Sequence, residues 1–226
     1  QQPLPTGNLL YSVKFADAQT GYAAGVLGTI MKTTNGGTNW FLQTSNDVDI
    51  LADIACITPE RVFIVGRQGT ILYTSSGGTN WIQQTTNVGN YLRSVCFPTP
   101  NIGYTVGNSG TILKTTNGGT NWIQQTSGTG AAMFSVDFID SLNGYAGGRP
   151  SLLKTTDGGI NWTSINLGLG PLDGIATVSF FDTNNVNVLI DRNYIIKTTN
   201  AGMNWNTYSL NIFEINDIAR YQSYIN

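Results

Sequence analysis

The sequence predicts an all-β chain folded as a β-propeller of four-stranded antiparallel blades, with five complete repeats and a partial sixth. Three observations support this prediction: one segment recurs about every 40 residues, its apolar residues alternate over short runs, and Gly, Asn and Pro separate the runs. Four short strands in a repeat of this length make one blade, whose sheet is buried on both faces by its neighbours. A β-solenoid would need shorter coils.

The repeat is clearest in the segment that ends at a tryptophan. Residues 28–45 read GTIMKTTNGGTNWFLQTS, residues 69–86 read GTILYTSSGGTNWIQQTT and residues 110–127 read GTILKTTNGGTNWIQQTS. Two looser copies begin at Ser151 and Tyr194. The tryptophans are separated by 41, 41, 40 and 43 residues, and they are Trp40, Trp81, Trp122, Trp162 and Trp205.

Each repeat is expected to contain four strands, which in the third repeat are Leu92 to Phe97, Gly103 to Val106, Thr111 to Thr115 and Asn121 to Gln125. The innermost strand has one large apolar face and one small or polar face, which would let neighbouring blades interlock. The complete repeats are expected at residues 9–46, 47–87, 88–128, 129–167 and 168–210 of a single domain spanning 1–226.

A sixth inner strand is expected to begin at Asp217-Ile218-Ala219-Arg220-Tyr221, in a partial repeat over 211–226. The sequence leaves the number of blades open. Five blades closing with a terminal segment, six closing imperfectly, and part of a longer ring are all compatible with the repeats. We favour five complete blades and a partial sixth.

The turn before each tryptophan resembles the Asp-box of bacterial neuraminidase repeats, in which Ser or Thr, Asp, Gly and Trp occur at fixed spacing. The third copy reads Thr115-Thr116-Asn117-Gly118-Gly119-Thr120-Asn121-Trp122. Together with the preceding GTI[ML] strand and a Gly-Tyr second strand, the repeats look most similar to the propeller family of photosystem II assembly factors and their secreted bacterial relatives. The resemblance covers nearly the whole chain, but only the fourth repeat keeps the acidic residue of the box.

The chemistry of the box favours a structural role. Gly-Gly allows positive φ in a tight turn, the Asn, Asp or Ser side chain can cap backbone N–H groups, and the Trp buries a large ring between blades. The residues expected in this role are Asn35 with Trp40, Ser76 with Trp81, Asn117 with Trp122, Asp157 with Trp162, and Asn200 with Trp205.

Composition excludes several functional classes. The chain has no histidine, which rules out imidazole-based nucleophile pairs and His-ligated zinc sites. Its net charge is −2, from 11 basic and 13 acidic residues, so nucleic acid is not an expected partner. No apolar run approaches the roughly 18 to 20 residues needed to span a bilayer. No pattern predicts a metal site or a cofactor.

Catalysis is not expected either. Similarity to sialidases would imply an arginine triad, a Tyr paired with a Glu, and an acidic Asp at the ring centre. The only glutamates are Glu60 and Glu214, and neither lies in a matching context. Glycoside hydrolysis needs two facing carboxylates, whereas the candidates Asp53, Asp137 and Asp217 come from different blades. We expect them to be solvated or hydrogen-bonded residues near the axis.

The loops that join second and third strands are the expected binding surface, on the side of the blades away from the boxes. They carry arginine in three blades, and Arg93 at the start of an inner strand should lie near them. Guanidinium groups bind carboxylates through paired hydrogen bonds. The partner-binding residues predicted on this surface are Arg67, Gln68, Arg93, Asn108, Arg149 and Arg192. Separately solvated charges are the alternative reading.

The function predicted from these features is a non-catalytic module that binds a protein partner or joins a larger surface assembly. An acidic peptide or a glycan would suit the arginines, and the alternative function is a carbohydrate-binding or glycosidase-like propeller. In the assembly-factor family, a basic patch near the axis is implicated in partner binding.

A secreted or cell-surface location is expected from low lysine content, abundant Asn, Thr and Gly, and the N-terminal Gln1-Gln2-Pro3-Leu4-Pro5. Cys56 and Cys96 are read first as small buried apolar residues, although they lie on adjacent inner strands and a disulfide between them stays open.

Overall fold

The computed structural model describes residues 5–45, 47, 49–191 and 194–209. These residues form twenty β-strands and one short 3-10 turn, η1 (Arg67–Gly69). The strands are β1 (Leu10–Phe15), β2 (Gly21–Gly25), β3 (Ile30–Thr33), β4 (Phe41–Gln43), β5 (Leu51–Cys56), β6 (Val62–Gly66), β7 (Ile71–Thr74), β8 (Ile82–Gln83), β9 (Leu92–Cys96), β10 (Gly103–Gly107), β11 (Ile112–Thr115), β12 (Ile123–Gln124), β13 (Met133–Phe138), β14 (Gly144–Gly148), β15 (Leu152–Thr155), β16 (Thr163–Ile165), β17 (Ile175–Phe180), β18 (Val186–Ile190), β19 (Tyr194–Thr198) and β20 (Asn206–Ser209).

The strands pair into five four-stranded sheets, each built from four consecutive strands in chain order. The predicted all-β fold class is therefore confirmed. In the third repeat the observed strands agree with the predicted ones within two residues at each end, and β12 is the shortest because only Ile123 and Gln124 are paired. The expected sixth inner strand, Asp217 to Tyr221, lies outside the described residues.

The chain divides into two compact units, each with its own apolar core. The N-terminal unit contains residues 1–105 and 114–123, and the C-terminal unit contains residues 106–113 and 124–226. The N-terminal core joins the second and third strands of the first sheet to the second sheet through Tyr22, Ile30, Ile54, Ile64 and Trp81. The C-terminal core joins the fourth and fifth sheets in the same way.

The Asp-box turns have nearly the same geometry in every repeat. In the fourth, Gly159 N donates to Thr155 Oγ1 at 2.8 Å, and Asn161 N donates to Asp157 Oδ1 at 2.9 Å. Gly158 and Gly159 have φ of 70° and 83°, in the left-handed region that favours glycine. The equivalent bond from the residue before the Trp to the box side chain recurs at Asn35, Ser76, Asn117 and Asn200.

The tryptophan of a box packs against the preceding sheet. Trp81 meets Tyr22 edge to face with ring centroids 6.2 Å apart, and Trp205 meets Tyr145 in the same way at 6.0 Å. Trp122 contacts both Phe63 of the preceding sheet and Phe97 of its own. In these three repeats the box therefore links the third and fourth strands of one sheet to the face of the preceding sheet, whereas Trp40 and Trp162 contact Phe15 and Phe138 of their own sheets.

A β-bulge recurs near the start of the innermost strand. Register shifts occur between Leu10 and Ser12, between Leu51 and Asp53, between Met133 and Ser135, and between Ile175 and Thr177. Bulges re-aim the side chains beside them. Arg93 occupies the equivalent position in the third repeat, so the repeat itself places this arginine at the strand's entrance.

Cys56 and Cys96 are not joined by a disulfide in the structure. Cys56 Sγ contacts the carbonyl oxygen of Lys14 at 3.8 Å, and burial raises the pKa of its thiol to about 12. None of the described residues forms a helix long and apolar enough to cross a membrane.

Candidate interaction site

The loop after β6 positions the first of the predicted arginines. Gln68 and Gly69 have φ of 54° and 71°, which reverses the chain, and Thr70 N donates to the carbonyl oxygen of Arg67 at 2.9 Å. A side chain at Gly69 would collide with the carbonyl oxygen of Val88, so this position requires glycine. The resulting turn leaves about half of the Arg67 side chain exposed, at 54%.

Arg67 and Arg93 both lie over the ring of Tyr91. The guanidinium carbon of Arg93 is 4.4 Å from the ring centroid, and that of Arg67 is 5.9 Å away. Such cation–π contacts stabilise by about 0.5 to 1 kcal/mol when solvent-accessible. Partial burial raises the pKa of the Tyr91 hydroxyl, while Arg93 opposes that rise. The phenol therefore stays neutral and the two cations supply the charge of the site.

Asp49 completes the group, which we call the arginine–tyrosine cluster: Arg67, Tyr91 and Arg93, with Gln68 and Asp49. Gln68 Nε2 donates to Asp49 Oδ2 at 2.9 Å, and Arg67 Nη1 lies 3.7 Å from Asp49 Oδ1. The N–H of Ile50 donates to the same carboxylate, and this bond is the main reason that the pKa of Asp49 is lowered. The long Arg67–Asp49 separation leaves guanidinium donors available to a second carboxylate.

The other predicted residues belong to the C-terminal unit. Arg149 precedes a cis peptide bond to Pro150, and its Nη2 donates to Asp191 Oδ2 at 2.7 Å. Asn108 accepts backbone and hydroxyl bonds from Thr111 through its carbonyl oxygen, which closes a turn. Arg192 lies outside the described residues. The structure thus brings Arg67, Gln68 and Arg93 together, and it pairs Arg149 with an aspartate that the sequence did not point to.

The carboxylates considered for glycoside hydrolysis cap backbone groups. Asp53 accepts from Ile54 N and Val95 N at 2.9 Å each and from Ser12 Oγ at 3.0 Å. Asp137 likewise accepts from Phe138 N and Phe180 N. β5, β9, β13 and β17 are edge strands of their sheets, so these carboxylates satisfy N–H groups that have no ladder partner.

Burial governs the ionisation of Asp53. Desolvation raises the pKa of Asp53, and the hydrogen bond from Val95 opposes the rise. Glu60 accepts a bond from Thr58 Oγ1 in the exposed loop between β5 and β6. Asp217 and Glu214 lie outside the described residues. Within the described part of the chain, no three Cys, Asp or Glu side chains gather as a metal site would require.

Solved structures share this fold at low sequence identity. A structure of YCF48 bound to D1 peptide is 17% identical, with a TM-score of 0.54 over 90% of this chain and 82% of that one. YCF48 from Cyanidioschyzon merolae is also 17% identical, with a TM-score of 0.50 over 91% and 86%. An ancestral GH74 enzyme is 18% identical, with a TM-score of 0.73, and the match covers 92% of this chain but 32% of that chain. These likenesses establish the β-propeller fold and nothing about activity.

Sequence comparison gives the family. No curated protein matches the chain at a significant level. The family model described as photosynthesis system II assembly factor YCF48 matches residues 1–83 and 83–223, which is nearly the entire chain. The recurring Asp-box turns and the five four-stranded sheets agree with that match. The chain therefore belongs to the photosynthesis system II assembly factor YCF48 family.

Proposed function

We propose that this protein is a non-catalytic interaction module that binds a carboxylate-bearing polypeptide segment at the arginine–tyrosine cluster. The observation that carries the proposal is the pair of guanidinium groups over Tyr91, one of them more than half exposed and 3.7 Å from its acidic neighbour. An incoming carboxylate can form shorter, charge-assisted bonds to Arg67 than Asp49 does. The aromatic ring offers a flat apolar surface beside those bonds.

Family membership supports a polypeptide partner. One relative of known structure, YCF48, is described as bound to D1 peptide. For the present chain, the chemistry of the cluster indicates the class of ligand: an acidic side chain or a free carboxyl terminus next to an apolar residue.

The carboxylates support the non-catalytic part of the proposal. Glycosidases place two carboxyl groups about 5 to 10 Å apart across a cleft, with at least one free to exchange a proton with substrate. Asp53 and Asp137 instead hold backbone N–H groups of edge strands. The likeness to GH74 enzymes is one of fold, at 18% identity.

We also propose that the protein acts outside the cytoplasm, as a secreted or cell-surface component. The support is compositional: only 11% of residues are charged, and Asn, Thr and Gly are abundant. Fractionation of the producing cells tests this, and recovery of the protein in the cytoplasm alone would refute it.

The binding proposal is tested with a fluorescein-labelled peptide that ends in Trp-Asp-Glu with a free carboxyl terminus. Anisotropy titrations would compare it with the same peptide bearing Lys in place of Asp and Glu. Arg67→Ala combined with Arg93→Ala should weaken binding of the acidic peptide at least about tenfold, since a charge-assisted hydrogen bond contributes about 1.5 to 3 kcal/mol.

The matched control is Arg149→Ala, which removes a guanidinium of similar exposure from the C-terminal unit. It should leave the Kd unchanged, and all variants should remain folded, with at most small losses of melting temperature from the missing cation–π and ion-pair contacts. Equal affinity of wild type and the double variant would reject the cluster as the site. Hydrolysis of a glycoside substrate panel, lost in Asp53→Asn or Asp137→Asn while those variants remain folded, would reject the non-catalytic reading.

A further inference from the structure

Two Asp-box turns in the C-terminal unit expose large apolar side chains. The sixth residue of the eight-residue box, which directly precedes Asn-Trp, is threonine in the first three repeats: Thr38, Thr79 and Thr120. In the fourth and fifth it is Ile160 and Met203, whose exposed fractions are 72% and 79%. The replacement of a small polar residue by an exposed large apolar one therefore occurs in two neighbouring repeats of the same unit.

The fold does not explain this replacement. Thr79 Oγ1 donates to the carbonyl oxygen of Ser76 at 3.0 Å, and Thr120 Oγ1 donates to that of Asn117 at 3.1 Å. Isoleucine and methionine cannot make this bond, and at such exposure they gain little burial in return. Exposed apolar residues that cluster on one surface typically mark an interaction site.

Backbone hydrogen bonds hold further apolar residues beside these turns. Gly158 N donates to the carbonyl oxygen of Leu142 at 2.8 Å, which joins the fourth box to the loop between β13 and β14. Ala201 N donates to that of Asn184 at 2.9 Å, which joins the fifth box to the loop between β17 and β18. Those loops expose Leu142 at 52% and Phe181 at 73%.

The two boxes are themselves tied together. The carbonyl oxygen of Ala201, in the fifth box, accepts bonds from Lys154 Nζ at 2.7 Å and from Tyr145 Oη at 3.2 Å, and both donors belong to the fourth sheet. We call the group on this side of the fourth and fifth sheets the apolar box patch: Leu142, Ile160, Phe181 and Met203.

Carboxylates accompany the patch. Asp140 and Asp182 lie in the same two loops, and Asp157 lies in the fourth box. Hydrogen bonds from neighbouring asparagines and backbone N–H groups lower the pKa of all three, that of Asp157 to about 2. All three therefore carry negative charge at physiological pH. Lys197 interacts with Asp182, and Lys154 is engaged with Ala201, so the aspartates dominate the charge of this surface.

We infer that the apolar box patch, with Asp140, Asp157 and Asp182 around it, docks a basic polypeptide segment that carries aliphatic or aromatic anchor residues between lysines or arginines. Apolar anchors would bury against Ile160, Phe181 and Met203, and flanking cations would meet the carboxylates. An anionic membrane surface is disfavoured because the same carboxylates would be repelled by it. The patch residues belong to the C-terminal unit, whereas Arg67, Tyr91 and Arg93 belong to the N-terminal unit, so the inference does not rest on the arginine–tyrosine cluster.

The test replaces the two exposed box residues with the residue that the other repeats carry. Ile160→Thr/Met203→Thr restores the box sequence of the first three repeats and should fold with an unchanged melting temperature. The probe is a fluorescein-labelled 12-residue peptide of alternating Lys and Leu with one Trp. Its Kd for the full chain should rise about 10- to 100-fold in the double variant, as expected for the loss of two buried apolar contacts.

Two controls distinguish binding at the apolar box patch from binding that depends only on the acidity of the protein or on exposed apolar residues elsewhere. Ile82→Thr/Ile123→Thr also replaces two exposed apolar residues with threonine, on outer strands of the N-terminal unit, and should leave the Kd unchanged. A peptide with Glu in place of Lys should not bind. Equal binding of the Lys-Leu peptide to wild type and to Ile160→Thr/Met203→Thr would overturn the inference. So would patch-dependent sedimentation with anionic vesicles, or a dimer in analytical ultracentrifugation that the double variant abolishes.

Discussion

Arg61 donates from Nη2 to the carbonyl oxygen of Gly118, in the box of the next sheet, at 2.8 Å. Elsewhere this bond comes from a lysine of the third strand: Lys32 Nζ binds the carbonyl oxygen of Gly77, and Lys154 Nζ binds that of Ala201. In the second repeat the lysine position is Tyr73, whose ring stacks on Phe63. In the second repeat, Arg61, which directly precedes β6, thus supplies the cation that the third strand lacks.

Arg61→Ala should lower the free energy of unfolding by about 1 to 3 kcal/mol, because a charge-assisted bond to a turn carbonyl is lost. Urea denaturation followed by circular dichroism measures it. Arg61→Ala/Tyr73→Lys, which restores the lysine used by the other repeats, should recover part of the loss. Full stability of the single variant would show that the bond is dispensable.

Trp122→Ala should cost about 3 to 5 kcal/mol, as large aromatic truncations in cores do. Trp122 is 6% exposed and contacts the rings of Phe63 and Phe97. Trp40 is less buried and contacts Phe15, so Trp40→Ala is the matched control and should cost less. Equal losses in the two variants, measured by urea denaturation, would contradict the packing explanation.

Asp157→Asn should reduce thermal stability at neutral pH, because Asp157 Oδ2 accepts a bond from Asn161 Nδ2 that an amide in that orientation cannot accept. The folded state lowers the pKa of Asp157 from 3.8 to about 2, so its contribution is present above about pH 4 and is lost as the pH falls towards 2. Melting curves of the variant and wild type should therefore converge over that range. The reciprocal change, Asn117→Asp, should stabilise the third box above pH 4. A difference in melting temperature that persists unchanged at pH 2 would exclude the ionised carboxylate as its cause.

Asp53→Asn should destabilise the N-terminal unit by about 1 to 3 kcal/mol. The carboxylate accepts two backbone N–H bonds and one hydroxyl bond, and an amide nitrogen would oppose one of those donors. Ser12→Ala removes only the hydroxyl and should cost less. Guanidinium denaturation compares the two variants, and an Asp53→Asn protein as stable as wild type would refute the capping role.

The sequence predicts the sheets well because the tryptophan period and the alternation of apolar residues are local patterns. It also predicts that Arg67, Gln68 and Arg93 lie near one another, since equivalent positions in repeats occupy equivalent places. It does not predict the role of Tyr91, because other aromatic residues near the start of an inner strand, such as Tyr11 of β1, look the same in the sequence. Only the structure shows that Tyr91 contacts two guanidinium groups.

The acidic partners of Arg67 and Arg149 are harder to predict from the sequence. Asp49 and Asp191 occupy loops of different type, and neither has a counterpart in every repeat. The role of Arg61 is difficult to predict for a related reason. The cation that binds the next box directly precedes the second strand in this repeat, but it lies in the third strand in the first and fourth repeats. The one available signal was the tyrosine at position 73, where the first, third, fourth and fifth repeats carry lysine.

The bond from a third-strand lysine to the next box has a consequence for how such chains change in length. At the three junctions where this bond is seen, the donor lies in one repeat and the acceptor in the box of the next, so one segment of about 41 residues can encode both a donor and an acceptor. A gene duplication that adds one segment would supply a complete new junction in a single event, without compensating substitutions elsewhere. Stability in such a chain depends chiefly on adjacent repeats. Gain or loss of a whole repeat then needs a single genetic event. A junction that loses its lysine needs a second substitution to restore the bond, as the pair Tyr73 and Arg61 illustrates.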